Sequence, residues 1–157
     1  MRVTLLAVFI LLFSGTNGQS ISQLTGTWKI IIIDQTEVYY NCKTDSISFS
    51  KGMAAILPDT PTQKNTAQAI KATVCNYQFI FKSDSKFKFI ADSILLVVEG
   101  NYEEVPAKKI IQLSNKKSVG LEDFDLPDKI RYSIKDGLLY LLMEEDEDHK
   151  LILRKHE

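Results

Sequence analysis

Several features that would point to a particular chemistry are scarce or missing in this chain. No stretch is apolar for the ~20 residues that a membrane-crossing helix needs. The longest, Val3 to Phe13, runs for about 11 residues, and Ile94-Leu95-Leu96-Val97-Val98 has only the length of a buried strand. Neither sign of charge dominates, with 19 Lys and Arg against 20 Asp and Glu. Nothing in that balance points to nucleic acid or to an anionic membrane surface. The two histidines, His149 and His156, stand near the end of the chain with no Cys or His at metal-ligand spacing, so no metal is expected. The acidic run Glu144 to Asp148 lacks the spaced oxygen donors and the glycine of a calcium loop and reads as a solvated turn. There is no Gly-x-Ser-x-Gly elbow, no phosphate-cradling glycine loop and no His-Glu-x-x-His. These absences argue against an enzyme and against a cofactor. Internal repeats, low-complexity tracts and Asn-x-Ser/Thr sequons are also absent.

What is present begins with a leader. Arg2 precedes the apolar run, and the small polar stretch Ser14-Gly15-Thr16-Asn17-Gly18 follows it, which is the order of a signal peptide. Cleavage after Gly18 would leave one domain over residues 19–157, large enough for its own core. Loss of Arg2 leaves 18 basic residues against 20 acidic ones, a mature charge of about −2. In an oxidising compartment the two cysteines, Cys42 and Cys75, read as one disulfide. On the chain-entropy estimate, a bridge closing that loop contributes about 3 to 4 kcal/mol. The competing reading is a pair of thiols, one of them a nucleophile toward a bound substrate.

The mature chain reads as strand after strand. Thr27 to Ile33 is apolar and β-branched, and Ser46 to Phe49 alternates with period two. Lys51-Gly52 reads as a turn, and Met53 to Ala72, with Pro58 and Pro61, as a long surface loop whose alanine-rich end holds at most one short helix. From Cys75 the alternation sets Tyr77, Phe79 and Phe81 on one face, joined through Lys82-Ser83-Asp84-Ser85 to Phe87 and Phe89. Ile94 to Glu99 and Lys108 to Leu113 continue the series, and Ser114 to Pro127 reads as a second long connection. Asp136-Gly137 between two apolar runs is a strong hairpin signal, and His149 to Arg154 forms the last strand. Eight or nine short strands with little helix close into a barrel or stack as a sandwich.

Gly26-Thr27-Trp28 at the head of the first strand resembles the Gly-x-Trp of the lipocalins and lipocalin-like domains. Cys42 with Thr44 to Phe49 and Lys51-Gly52 is similar to their cysteine, acidic, strand and turn pattern, and Leu151-Ile152-Leu153-Arg154 to their last strand. The resemblance implies an eight-stranded, up-and-down antiparallel barrel. It further implies that Arg154 packs over Trp28, with Gly26 and Trp28 closing one end, and that the role is carriage of a small apolar ligand. Other members of the family bind proteins or act as inhibitors.

The aromatic side chains expected to face inward, Phe49, Tyr77, Phe79, Phe87, Phe89 and Tyr132, are the candidate ligand-binding residues. Two outcomes stay open. Either these rings leave room for one small hydrophobic molecule, or they fill a solid barrel whose loops contact a protein partner.

Overall fold

The computed structural model describes residues 22–57, 59–120, 125–143 and 149–156. The expected leader, Pro58 and the acidic turn 144–148 lie outside the described residues. Among the described residues ten strands form one antiparallel sheet: β1 (Gly26–Gln35), β2 (Val38–Asn41), β3 (Ser46–Phe49), β4 (Gln78–Phe81), β5 (Lys86–Ala91), β6 (Leu96–Val105), β7 (Ile110–Val119), β8 (Lys129–Lys135), β9 (Leu138–Leu142) and β10 (His149–His156). Pairing of β10 with β1 closes eight of them into an up-and-down barrel in the order β1-β4-β5-β6-β7-β8-β9-β10. The fold class is therefore the expected one.

β1 serves two neighbours along one edge. Its first half, Gly26 to Lys29, pairs with β4, and its second half, Ile32 to Asp34, pairs with β2. A bulge between Ile30 and Ile32 separates the halves. The β2–β3 hairpin consequently projects beyond the ring as an extension of the sheet.

The segment expected as a turn and a loop is largely helical. Two helices, α1 (Lys51–Ile56) and α2 (Thr60–Val74), occupy it, and α2 is fifteen residues long. Their start signals are standard ones. The Ser50 side chain accepts from the Met53 amide, and Asp59 accepts from the Thr62 amide at 2.7 Å, with Pro61 in the first turn where its missing N–H leaves no bond unmade. That amide bond holds the Asp59 carboxyl below its ordinary range. Gln63, Thr66, Ala67, Ile70 and Val74 recur at helical spacing as a half-buried stripe. The stretch after Leu113, expected as connection, is half strand, because β7 runs on to Val119 and pairs with β6.

One core fills the barrel. Trp28, Phe79, Phe81, Phe87, Phe89, Ile111, Ile130, Leu139, Leu141 and Leu153 are all buried. The aromatic rings form a chain, Tyr77 edge-on to Phe89 at 5.4 Å, Phe89 to Phe79 at 4.8 Å, Phe79 to Phe81 at 6.3 Å and Phe81 to Tyr102 at 5.1 Å. Contacts of this geometry add about 0.5 to 1.5 kcal/mol each beyond the area buried.

Candidate functional site

The two ends of the barrel differ in kind. At the end that holds the start of β1, the Trp28 indole donates to the Leu24 carbonyl at 2.7 Å. Lys155 lies over the indole ring at 5.5 Å from its centroid. The expected cation, Arg154, is exposed on the outer face and faces Lys29 and Leu138 across the sheet. Strand parity explains the correction. Leu151 and Leu153 point inward, so Lys155, two residues on, shares their face and Arg154 cannot. Gly26 is required in this arrangement, because its φ of +134° is strained for any side chain and a Cβ there would stand 2.5 Å from Lys155 Cε.

Tyr132 also belongs to this closed end. Its hydroxyl and that of Ser22 both donate to the Glu104 carboxylate. Burial, together with the carboxylate it faces, raises the Tyr132 pKa. Tyr102 donates to the Lys82 carbonyl at 3.0 Å nearby. Phe87 lies deep in the wall, opposite Gly100, where an added Cβ would come within 2.7 Å of the Phe87 ring. Phe49 stands outside the ring, on β3, beside a shallow depression shared with Ala54 and Ala67 of the helices. Phe49, Phe87 and Tyr132 are therefore removed from the candidate ligand site, and Tyr77, Phe79 and Phe89 remain together.

These three line a cavity of about 430 Å³ at the opposite end. Ile33, Gln35, Val38, Met143, His149 and Leu151 supply more of its wall from strand ends, and Ile70 and Val74 of α2 roof it. The segment expected as a long surface loop thus borders the cavity as a helix. Leu126, Pro127 and Asp125 cross the remaining side. The size falls within the range of small-molecule sites, and most of the wall is hydrocarbon. Ile70 and Val74 carried no strand alternation and Leu126 lay in a polar stretch. Only the helical spacing of α2 could have signalled the first two.

Two devices hold the roof and the side wall. Cys42 and Cys75 form the expected disulfide, with Cα atoms 5.7 Å apart, and Cys75 caps the end of α2. Neither sulfur is free to act as a nucleophile. One turn earlier on α2, Lys71 meets Asp45 at 2.6 Å, and Asp45 also accepts from the buried Tyr40 hydroxyl. Lys71, and then Tyr40, hold the Asp45 carboxyl below its usual pKa. Burial, then the Asp45 carboxylate, push the Tyr40 phenol up to about 12. On the other side, Lys116 reaches Asp125 at 2.7 Å and Asp128 at 2.9 Å and donates to the Leu126 carbonyl, which anchors the strap across the mouth. Desolvation pulls the Lys116 pKa down, and the hydrogen bonds and charges of the two aspartates outweigh it for a net rise.

Comparison with known proteins locates the chain by fold. No protein family and no curated protein matches it. Among solved structures it is similar to a DUF4847 family protein from Bacteroides vulgatus ATCC 8482, at 15% sequence identity and a TM-score of 0.56. The match covers 85% of this chain and 96% of that one. A likeness at that identity establishes the shared barrel and says nothing about a shared ligand.

Proposed function

We propose that this chain is a secreted, lipocalin-like binding protein that carries a small, largely apolar molecule at the mouth of its barrel. The observation that supports it is the 430 Å³ cavity walled by Tyr77, Phe79, Phe89, Ile33, Leu151 and the inner face of α2. Binding draws on apolar area removed from water, about 25 cal/mol per Å² before the costs of association. The leader and the Cys42–Cys75 bridge both suit an oxidising, extracellular setting. No catalytic role is assigned to any side chain.

Titration with the neutral fluorophore N-phenyl-1-naphthylamine tests this reading. The mature protein should show saturable, one-to-one fluorescence enhancement, and Val74→Trp, which fills the cavity from the roof, should abolish it without unfolding the protein. Absence of saturable uptake by the folded wild type would sink the proposal. Mass spectrometry of molecules extracted from the purified secreted protein should then identify the natural cargo.

A second reading, contact with a protein partner, draws on the side of α1. Ile56 there is 74% exposed, and Ala54 of the same helix borders a depression with Ile47 and Phe49. Under that reading Ile56→Glu would weaken the protein contact and leave fluorophore uptake intact.

A further inference from the structure

The interior tyrosines are not equivalent. Tyr40 donates to Asp45, Tyr102 to the Lys82 carbonyl and Tyr132 to Glu104. Tyr77 lines the cavity, and burial is the one influence on its phenol among the described residues, with no hydrogen-bond acceptor beside it. Its position is nevertheless tightly set. The Tyr77 amide donates to the Val74 carbonyl at 3.0 Å, its carbonyl accepts from the Ile30 amide at 3.3 Å, and its ring stands edge-on to Phe89. Burial alone raises the pKa of this phenol, so it remains a neutral O–H donor through the physiological range. A donor held half-buried in an apolar wall, without a protein acceptor, is free to donate to a guest oxygen that enters beside it.

The rest of the wall limits what that guest is. No Lys or Arg lines the cavity among the described residues. Lys116 of β7, which holds the strap, is itself held between two carboxylates, Asp125 and Asp128, so this trio carries a net negative charge at the rim. A ligand carboxylate seated here would lose its hydration, meet no Lys or Arg in the described wall and face Asp125. An uncharged oxygen has none of those costs.

We infer that Tyr77 is a hydrogen-bond donor to the guest of this cavity, and that the cargo is an uncharged amphiphile: an apolar body with one hydroxyl, carbonyl or ester oxygen that accepts a hydrogen bond from the Tyr77 hydroxyl, in preference to a free fatty-acid anion. The inference rests on the binding role proposed above and adds to it the chemical class of ligand.

Three guests with the same twelve-carbon chain test it: dodecan-1-ol, dodecanoate and dodecane, each used to displace N-phenyl-1-naphthylamine from the mature protein and from Tyr77→Phe. Dodecan-1-ol should displace the fluorophore at a concentration at least about 10-fold lower than dodecanoate does, a gap of about 1.4 kcal/mol. Tyr77→Phe should weaken dodecan-1-ol about 5-fold, the effect of one neutral hydrogen bond, and leave dodecane and the urea midpoint unchanged. Equal affinity of dodecan-1-ol for both proteins, or tighter binding of dodecanoate, overturns the assignment while cavity binding stands. If the fluorophore and all three guests fail to bind, the binding role itself is wrong.

Discussion

Lys155 and Trp28 face each other directly across the β1–β10 seam, and the lysine ammonium lies 5.5 Å from the centroid of the indole ring. The pair sits where the last strand meets the first, so the contact that covers the core at the closed end also joins the two strands that close the barrel. The Leu24 carbonyl accepts from the indole N–H, and Gly26 leaves room for the Lys155 stem.

Removing the cation should therefore be felt more than removing its neighbour. Lys155→Ala is expected to cost about 1 kcal/mol, from the cation–π contact and the covering hydrocarbon stem, and to shift the emission of the single tryptophan. Arg154→Ala, on the exposed face, should stay within about 0.5 kcal/mol of wild type. Urea unfolding of the two variants, followed by tryptophan fluorescence, decides between Lys155 and Arg154.

The disulfide closes the base of the roof. Replacing Cys42 and Cys75 together by serine should lower stability by about 3 to 4 kcal/mol, largely by freeing the unfolded chain. In native-state hydrogen exchange α2 should open more readily than the barrel strands, since among the described residues none of its own is buried. Equal loss of protection in α2 and β5 would contradict this division.

Lys116 ties down the strap that carries Leu126 across the mouth. With its side chain only 13% exposed and both aspartates more than 70% exposed, solvent screens the ion pairs, and Lys116→Met should cost about 1 kcal/mol of stability. Its larger effect should be kinetic. The bound fluorophore should leave faster from the variant in stopped-flow displacement, while a strap that matters only to folding would leave the off-rate unchanged.

Alkali should destabilise this protein earlier than acid–base balance alone suggests. The pKa values of Tyr40, Tyr77, Tyr102 and Tyr132 are all raised, first by burial. A group whose pKa is higher in the folded state gives stability that is complete below its unfolded value and is lost as pH climbs through the folded one. For Tyr40 that window runs from the ordinary 10.0 to about 12. Urea midpoints should hold steady up to about pH 10 and then fall, less steeply in Tyr40→Phe. A flat midpoint beyond that pH would refute the assignment.

Phe79 and Phe87 share a face of the sheet and differ in depth. Phe87→Ala, in the filled part of the barrel, should cost about 3 to 5 kcal/mol and leave ligand affinity of the folded protein intact. Phe79→Ala should cost a similar amount and also change that affinity, because its ring forms part of the cavity wall. Calorimetric unfolding together with fluorophore titration separates the two.

Much of this could be read residue by residue. Period-two alternation set Phe79, Phe81, Phe87 and Phe89 inward, Asp136-Gly137 marked the hairpin between β8 and β9, and two cysteines defined one bridge. The position of Lys155 was also legible, since Leu151 and Leu153 determine its face; the resemblance to a known last strand drew attention to Arg154 instead. Helix α2 has its signals as well, in the Asp59 cap, the first-turn Pro61 and the residues at helical spacing after it, but a proline serves a loop and a first helical turn equally well.

Depth was beyond the sequence. Alternation tells whether a side chain faces the barrel axis and is silent on how far along that axis it lies, because register between strands sets the height. Tyr77 and Tyr132 have the same inward parity, yet β4 starts at the mouth while Tyr132 sits near the closed end, so one meets a cavity and the other meets Glu104. The local pattern thus determined the sheet, the inward rings and the bridge. Only the closed tertiary structure, by bringing α2, Leu126 and Leu151 around Tyr77, decided where space was left for a guest.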